Sequence, residues 1–195
     1  MKRISITSFL LLVLCVLVSC KEDEADEPQL SQATYSVTVS GGPLNGRTFT
    51  GTADPEQYIS LTVISQEVGL SGVSATIQDL TTESMVLIGM TFPANPGSSF
   101  TGTFTEDTDT SADDQQESAF LFLTLDTGVG VTSYYSVDAD YQVRNYSFNR
   151  ISTSQGNEIG TSSMDIEFNG TFEDGLNEDE QVQIRGTIRV VQNLN

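Results

Sequence analysis

Oxygen-bearing side chains alternate in one polar stretch of the chain, "EDTDTSADDQQES" (106–118). Asp107, Asp109, Ser111 and Asp113 occupy every second position. Calcium prefers six to eight hard oxygen ligands, and calcium-binding loops supply them at such spacing. The spacing predicts a Ca²⁺ site, and a solvated acidic loop is the alternative. A second acidic stretch, "EDGLNEDE" (173–180), is predicted to be a long hairpin turn.

A pair of carboxylates, Asp165 and Glu167, lies in "SMDIEF" (163–168). Two carboxyl groups ~5–10 Å apart suffice for glycoside hydrolysis. The stretch is similar to part of the Glu-x-Asp-x-x-Glu strand motif of laminarinase-like jelly-roll glycosidases, although Ser163 stands where the first Glu belongs. The alternative follows from the alternation, which turns Met164, Ile166 and Phe168 inward and both carboxylates to water.

Four tyrosines form a third candidate site: Tyr134, Tyr135, Tyr141 and Tyr146, with Arg144 and Arg150 nearby. Tyr and Arg are enriched at binding surfaces. The cluster predicts a surface that stacks on sugars or on a partner protein. The alternative is a set of half-buried strand residues with solvated hydroxyls.

The composition excludes several classes of function. The chain has no His, which removes Ser-His-Asp and Cys-His catalysis in their usual form as well as His-ligated zinc. Its net charge of −19, with 8 Lys and Arg against 27 Asp and Glu, argues against nucleic acid as a partner. We therefore expect a non-catalytic protein with no cofactor, apart from the possible Ca²⁺.

The elements that must position these residues are predicted to be strands. Short runs with period-two alternation recur between Gly, Pro, Asn and Ser clusters, and no window beyond the amino-terminal segment has a helical period. "ATYSVTVS" (33–40) turns Tyr35, Val37 and Val39 to one face, and Asn45-Gly46 predicts a hairpin turn after it. "YISLTVIS" (58–65) is predicted to turn Ile59, Leu61 and Val63 inward. "VQIRGTIRVV" (182–191) is predicted to turn Val182, Ile184, Ile188 and Val190 to one face. Separate strands are also predicted over 118–125, 130–137 and 141–152. About ten or eleven such strands predict an all-β fold, an antiparallel β-sandwich or barrel-like domain.

The amino-terminal segment has the pattern of an export signal. Lys2 and Arg3 precede ten apolar residues, "FLLLVLCVLV" (9–18), a run shorter than the ~20 residues that a membrane-spanning helix needs. The following Leu17-Val18-Ser19-Cys20 resembles the lipobox of bacterial lipoproteins. The resemblance implies that the signal (1–19) is removed and that Cys20 is acylated, which would anchor the protein to membrane lipid.

The residues after Cys20 are strongly acidic. Lys21, Glu22, Asp23 and Glu24, followed by Asp26 and Glu27, resemble the export signal of surface lipoproteins in the Bacteroidota. That resemblance implies a location on the outer membrane, facing the cell exterior. A solvated spacer is the other interpretation, because acid-rich segments without aromatic residues do not order themselves. We predict a disordered acidic tether (20–32) and one β-sandwich domain (33–195).

The closing strands, "MDIEFNGTF" and "VQIRGTIRV", look like those of small Bacteroidota lipoproteins of unknown function. The resemblance implies a β-sandwich and no known activity. Three functions remain open from the sequence. They are a surface module that binds glycan or protein, a structural envelope component without a small ligand, and a carboxylate-based glycoside hydrolase.

Overall fold

The computed structural model describes residues 32–106, 117–154 and 157–192, and in these ranges the protein is all-β. The chain divides after Ser31, and all described residues belong to the unit Gln32–Asn195. Ten strands form in this part of the chain, which confirms the predicted fold class. They are β1 Thr34–Ser40, β2 Thr48–Thr52, β3 Ile59–Ser65, β4 Leu70–Gln78, β5 Met85–Pro93, β6 Ser99–Thr105, β7 Ser118–Asp126, β8 Val131–Ser154, β9 Asn157–Asp174 and β10 Asn177–Val190.

The strands form one antiparallel sheet in the order β2-β1-β10-β9-β3-β4-β5-β7-β8-β6. The two longest strands, β8 and β9, also pair with each other. On the edge of β8 that faces away from β9, β7 pairs with residues 131–135 and β6 with residues 138–144. On the edge of β9 that faces away from β8, β3 pairs with residues 157–160 and β10 with residues 164–174. From β9 the pairing runs through β3, β4, β5 and β7 to β8, and β8 pairs with β9, so these six strands form a closed circuit. One hydrophobic core fills the interior.

The first and last strands follow their predicted alternation. Tyr35, Val37 and Val39 of β1 are buried, as are Ile184 and Ile188 of β10. Burial of such side chains is the main stabilising term of a β-fold of this kind.

A hairpin joins β1 to β2 at the predicted Asn-Gly turn. The amide of Gly46 donates to the Val39 carbonyl at 2.8 Å, and Gly46 has a φ of 79°. The Oδ1 of Asn45 accepts a hydrogen bond from the Gly41 amide at 2.8 Å. Glycine fits position 46 because a left-handed φ carries no Cβ penalty there.

The structure corrects the prediction of two strands over 130–137 and 141–152, because both lie in the single strand β8. Register shifts occur at Ser136/Asp138, Arg144/Ser147 and Arg150/Ser152. A β-bulge adds one residue and exchanges the inward and outward positions beyond it. At the second shift Asn145 has a φ of 56°, a conformation that Asn tolerates better than most residues. A strict period of two does not anticipate these changes.

The predicted inward face of β3 is also wrong. Ile59 and Leu61 are 60% and 46% exposed, and Ser60, Thr62 and Ile64 face the interior instead. The reason lies one residue before the strand. Tyr58 is buried, and its hydroxyl donates to the Val191 carbonyl at 2.6 Å, so alternation from this residue turns the even positions inward.

The hairpin turn predicted over residues 173–180 is shorter in the structure. β9 continues to Asp174 and β10 begins at Asn177, so only Gly175 and Leu176 form the turn between them. The Oδ1 of Asp174 accepts a hydrogen bond from the Leu176 amide at 2.8 Å, which closes the turn. These acids therefore lie mostly on strand ends.

Candidate functional site

The four tyrosines do not form one surface, which corrects the predicted binding cluster. Tyr134 and Tyr141 are buried, with 1% and 7% of their surfaces exposed, and Tyr146 is half-buried against Phe92 and Phe100. Tyr135 is 47% exposed. Adjacent strand residues point to opposite faces, so Tyr134 and Tyr135 cannot share a surface.

Tyr135 lies instead in a row of side chains that crosses five strands. The register aligns Ile59 of β3, Thr76 of β4, Leu87 of β5, Phe122 of β7 and Tyr135 of β8. The rings of Phe122 and Tyr135 are 4.7 Å apart between centroids, with their planes at 38°. At ~4.8 Å between strands the row is about 19 Å long.

A second ring extends this surface toward the adjacent row. Phe120 is half-buried and lies in register with Gly89 of β5. Its ring lies across the glycine in the space that a Cβ would occupy. Because no side chain rises from Gly89, the ring can lie close to the sheet. We name the surface of Ile59, Leu61, Leu87, Phe120, Phe122 and Tyr135 the aromatic face.

The aromatic face carries no charge. β3, β4 and β5 contain no charged residue, and β7 contains only its last residue, Asp126. No Lys or Arg occurs between Arg47 and Arg144 in the sequence. Any charge at the rim from this part of the chain is therefore negative.

A different surface is made by the outward side chains of β1, β10, β9, β8 and β6. The register gives three aligned rows: Thr34, Arg189, Asp165, Arg144 and Ser99; Ser36, Thr187, Glu167, Gln142 and Thr101; Thr38, Arg185, Asn169, Asp140 and Thr103. All fifteen side chains are polar or charged. We name this surface the polar face.

An open groove of about 640 Å³ runs over the polar face, and a smaller depression of about 270 Å³ adjoins it. Gln142, Arg144, Glu167 and Thr187 line both. The larger volume lies within the range typical of small-molecule sites, ~300–1,000 Å³, and the smaller one lies below it.

Asp165 and Glu167 both face outward on this surface, as their alternation predicts. The Arg144 guanidinium is 3.6 Å from Glu167 Oε2, and the Arg189 guanidinium is 3.9 Å from Asp165 Oδ1. Asp165 Oδ2 also accepts a hydrogen bond from the Asn145 amide at 2.7 Å. Each carboxylate thus faces an arginine across the neighbouring strand.

Burial alters the ionisation of the inward tyrosines. Burial, with a smaller contribution from the charge of Glu117, raises the pKa of Tyr141 to about 12. Burial also raises the pKa of Tyr134 above its ordinary value, aided by the nearby Asp174 and Glu180. Both phenols therefore stay neutral at physiological pH and act as packing groups.

One carboxylate is unusually well bonded. Asp79 Oδ1 accepts hydrogen bonds from the Thr81 amide and hydroxyl and from the Thr82 amide, at 2.7, 2.8 and 2.9 Å, and Oδ2 accepts from the Thr52 amide at 3.0 Å. Burial alone would raise the pKa of Asp79, but these hydrogen bonds outweigh it and lower the pKa below 3.8. Its place between β2 and β4 indicates a structural role.

Several predicted site residues lie outside the described residues. They are Cys20 and the export residues Lys21, Glu22, Asp23 and Glu24, and the calcium candidates Asp107, Asp109, Ser111 and Asp113. Among the described residues, no three Asp or Glu side chains are grouped to hold a metal ion. In the same ranges no helix has the length and apolar character to cross a membrane.

Sequence reasoning missed Phe120 and Phe122. The run "SAFLFLTL" (118–125) is apolar on both faces of the predicted strand, and that pattern was the available signal. Comparison with known proteins adds no relative: no family model, curated protein or solved structure matches the chain.

Proposed function

We propose that this chain is a lipid-anchored protein of the bacterial outer surface that binds a neutral glycan without hydrolysing it. The aromatic face is the observation that carries the proposal. Pyranose rings present apolar C–H faces, which pack on flat aromatic rings, and hydroxyls, which bond to nearby Ser and Thr. The row from Ile59 to Tyr135 offers both, since Thr76 lies within it.

The absence of charge on the aromatic face favours a neutral ligand. No guanidinium or ammonium lies on β3, β4, β5 or β7 to pair with an acidic sugar. Binding a charged group on such a surface would remove its hydration without a compensating partner. A neutral polysaccharide chain avoids that cost.

Two features support binding without catalysis. The chain lacks His. The two carboxylates that could act together, Asp165 and Glu167, lie on the polar face and each stands beside an arginine of that face. The anchor and the location are part of the proposal through Cys20 and the acidic residues after it.

The test is binding of the full chain, purified in detergent, to insoluble and arrayed neutral polysaccharides. Tyr135→Ala and Phe122→Ala should each weaken binding about tenfold, a free-energy change of about 1.4 kcal/mol. Leu80→Ala is the matched control, because Leu80 is 50% exposed and lies outside the aromatic face. Equal binding by Tyr135→Ala and wild type would contradict the proposal. Loss of a co-purifying protein in the same variants would instead indicate a structural or protein-binding role.

The location has its own test. Protease shaving of intact cells should remove the wild-type domain from the whole-cell fraction, and Cys20→Ala should release it from the membrane. Protection of the wild-type protein would place it on the periplasmic side and contradict the role proposed for Lys21 to Glu24.

A further inference from the structure

The polar face holds three of the five arginines of the described residues, although the protein as a whole is strongly acidic. Arg185 and Arg189 lie four residues apart on β10, about 13 Å along the strand. Arg144 lies two strands away on β8, in the row of Arg189. Three carboxylates, Asp140, Asp165 and Glu167, share this face, so it has no net charge although the protein as a whole is strongly negative.

Arg185 differs from its neighbours because it forms no ion pair with another described residue. Three ion pairs form among the described residues, and Arg185 takes part in none of them. Its register neighbours are the uncharged Thr38 and Asn169. The side chain is exposed and lines the 640 Å³ groove.

The ion pairs of the other two arginines are weak, and Arg144 also donates a hydrogen bond to Gln142 Oε1 at 2.5 Å. Arg144 and Arg189 stand 3.6 and 3.9 Å from their carboxylate partners, and their side chains are 58% and 59% exposed. Exposed pairs of this kind contribute little, ~0–1 kcal/mol. A ligand carboxylate can therefore compete for the Arg189 guanidinium at small cost.

From these observations we propose a second ligand site in this groove, one that binds an acidic glycan through a uronate carboxylate at Arg185. Guanidinium groups bind carboxylates through two parallel hydrogen bonds, a geometry that lysine cannot reproduce. The protein's overall negative charge acts weakly here, because salt at 0.15 M screens exposed charges beyond ~8 Å.

The rest of the groove fits a polyhydroxylated chain better than a peptide. Tyr141 and Phe168 also line the groove but are only 7% and 2% exposed, and the fifteen outward positions include no apolar side chain to receive a peptide's hydrophobic residues. Asn169 and Gln142 can donate and accept, and Asp140 and Glu167 can accept from sugar hydroxyls. The groove is open, so a polymer can continue beyond it.

This site is separate from the aromatic face, and its test addresses it alone. Titration of the full chain in detergent with tetragalacturonate, at 0.15 M salt, should give saturable binding. Fully methyl-esterified tetragalacturonate is the matched neutral probe and should bind at least tenfold more weakly. Equal affinity for both would overturn the proposal, as would no binding of the acid at millimolar concentration.

Substitutions test whether Arg185 is the residue that binds the carboxylate. Arg185→Gln should weaken binding at least tenfold, and Arg185→Lys should restore only part of the loss. Arg47→Gln is the control, because Arg47 packs over the Phe49 ring on another part of the chain. Equal losses for Arg185→Gln and Arg47→Gln would indicate a general charge effect and overturn the site. Equal affinity for a tetraglutamate peptide would overturn the assignment to a glycan.

Discussion

The Oγ1 of Thr62 on β3 lies 2.7 Å from the Oγ of Ser162 on β9, and both side chains are fully buried. This hydrogen bond joins residues 100 positions apart. It gives the inward hydroxyl of β3 a partner and so stabilises the arrangement that leaves Ile59 and Leu61 outside. The aromatic face therefore depends on a polar contact in the interior.

We expect Thr62→Val and Ser162→Ala each to lower the free energy of unfolding by about 1–3 kcal/mol. Each substitution removes the hydrogen bond between the two side chains and leaves the hydroxyl of the other residue buried without it. The double variant should lose less than the sum of the two. Urea denaturation of all four proteins measures the coupling. The exposed pair Thr38 and Thr48, whose hydroxyls are 2.9 Å apart, is the control and should show almost none. Additive losses at Thr62 and Ser162 would contradict a direct interaction.

Strand β3 also shows which parts of the fold could be predicted from the sequence and which could not. Alternation predicted the all-β class and the faces of β1 and β10, because apolar and polar residues there separate cleanly. On β3 both faces carry residues that strands favour, and the partner of Thr62 lies on a distant strand. On β8 the bulges at Ser136/Asp138 and Arg144/Ser147 shift the faces. Both errors arise from tertiary contacts that a local pattern does not contain.

The candidate sites show the same limit. The outward position of Asp165 and Glu167 followed from local alternation, and it was confirmed. The register that aligns Leu87 with Phe122, or Thr38 with Arg185, joins strands that are not consecutive in the chain, and their order was not deducible. A surface made of one residue from each of five strands has no signature along the chain.

Asp79 should make stability depend on pH. Its pKa is lowered in the folded protein, so its contribution is complete above pH 3.8 and is lost as the pH falls from there through the folded-state pKa. Asp79→Asn should therefore cost about 1.5–3 kcal/mol at pH 7, the range for hydrogen bonds to a charged group. The difference from wild type should shrink below pH 3.8. Urea denaturation at pH 7, 4 and 3 checks this, and Glu56→Gln controls for simple loss of an exposed charge. A cost that stays constant with pH would contradict the role of the carboxylate.

Tyr141 should limit stability at high pH. Its pKa rises from 10.0 in the unfolded chain to about 12 in the folded protein, so the stabilisation is present below pH 10 and is lost as the pH rises through 12. Tyr141→Phe keeps the ring that packs on Phe104 at 4.5 Å and should raise Tm relative to wild type between pH 10 and 12. At pH 7 the two should unfold alike.

The control for this prediction is Tyr58→Phe. It removes the hydrogen bond to the Val191 carbonyl, so it should lower Tm at pH 7 as well. Thermal unfolding at pH 7 to 12 separates the two effects. A Tyr141→Phe protein that loses stability above pH 10 in parallel with wild type would show that other groups control alkaline unfolding.

Gly89 and Gly72 offer a matched pair of substitutions beneath and beside the aromatic face. A Cβ at Gly89 would occupy the space of the Phe120 ring, whereas one at Gly72 would have no atom within 4 Å. Gly89→Ala should displace the ring and lower the free energy of unfolding by about 1–3 kcal/mol, the usual cost of overpacking. Gly72→Ala should be neutral or stabilise by up to about 1 kcal/mol, because it restricts the unfolded chain.

The same pair distinguishes stability from binding. At a temperature where both variants are fully folded, Gly89→Ala should weaken binding to neutral glycan because the ring no longer lies flat on the sheet. Gly72→Ala should bind as the wild type does. Urea denaturation and a polysaccharide pull-down, run on the same preparations, measure both quantities. If Gly89→Ala is destabilised yet binds normally, Phe120 is a packing residue and the contact surface is confined to Phe122 and Tyr135.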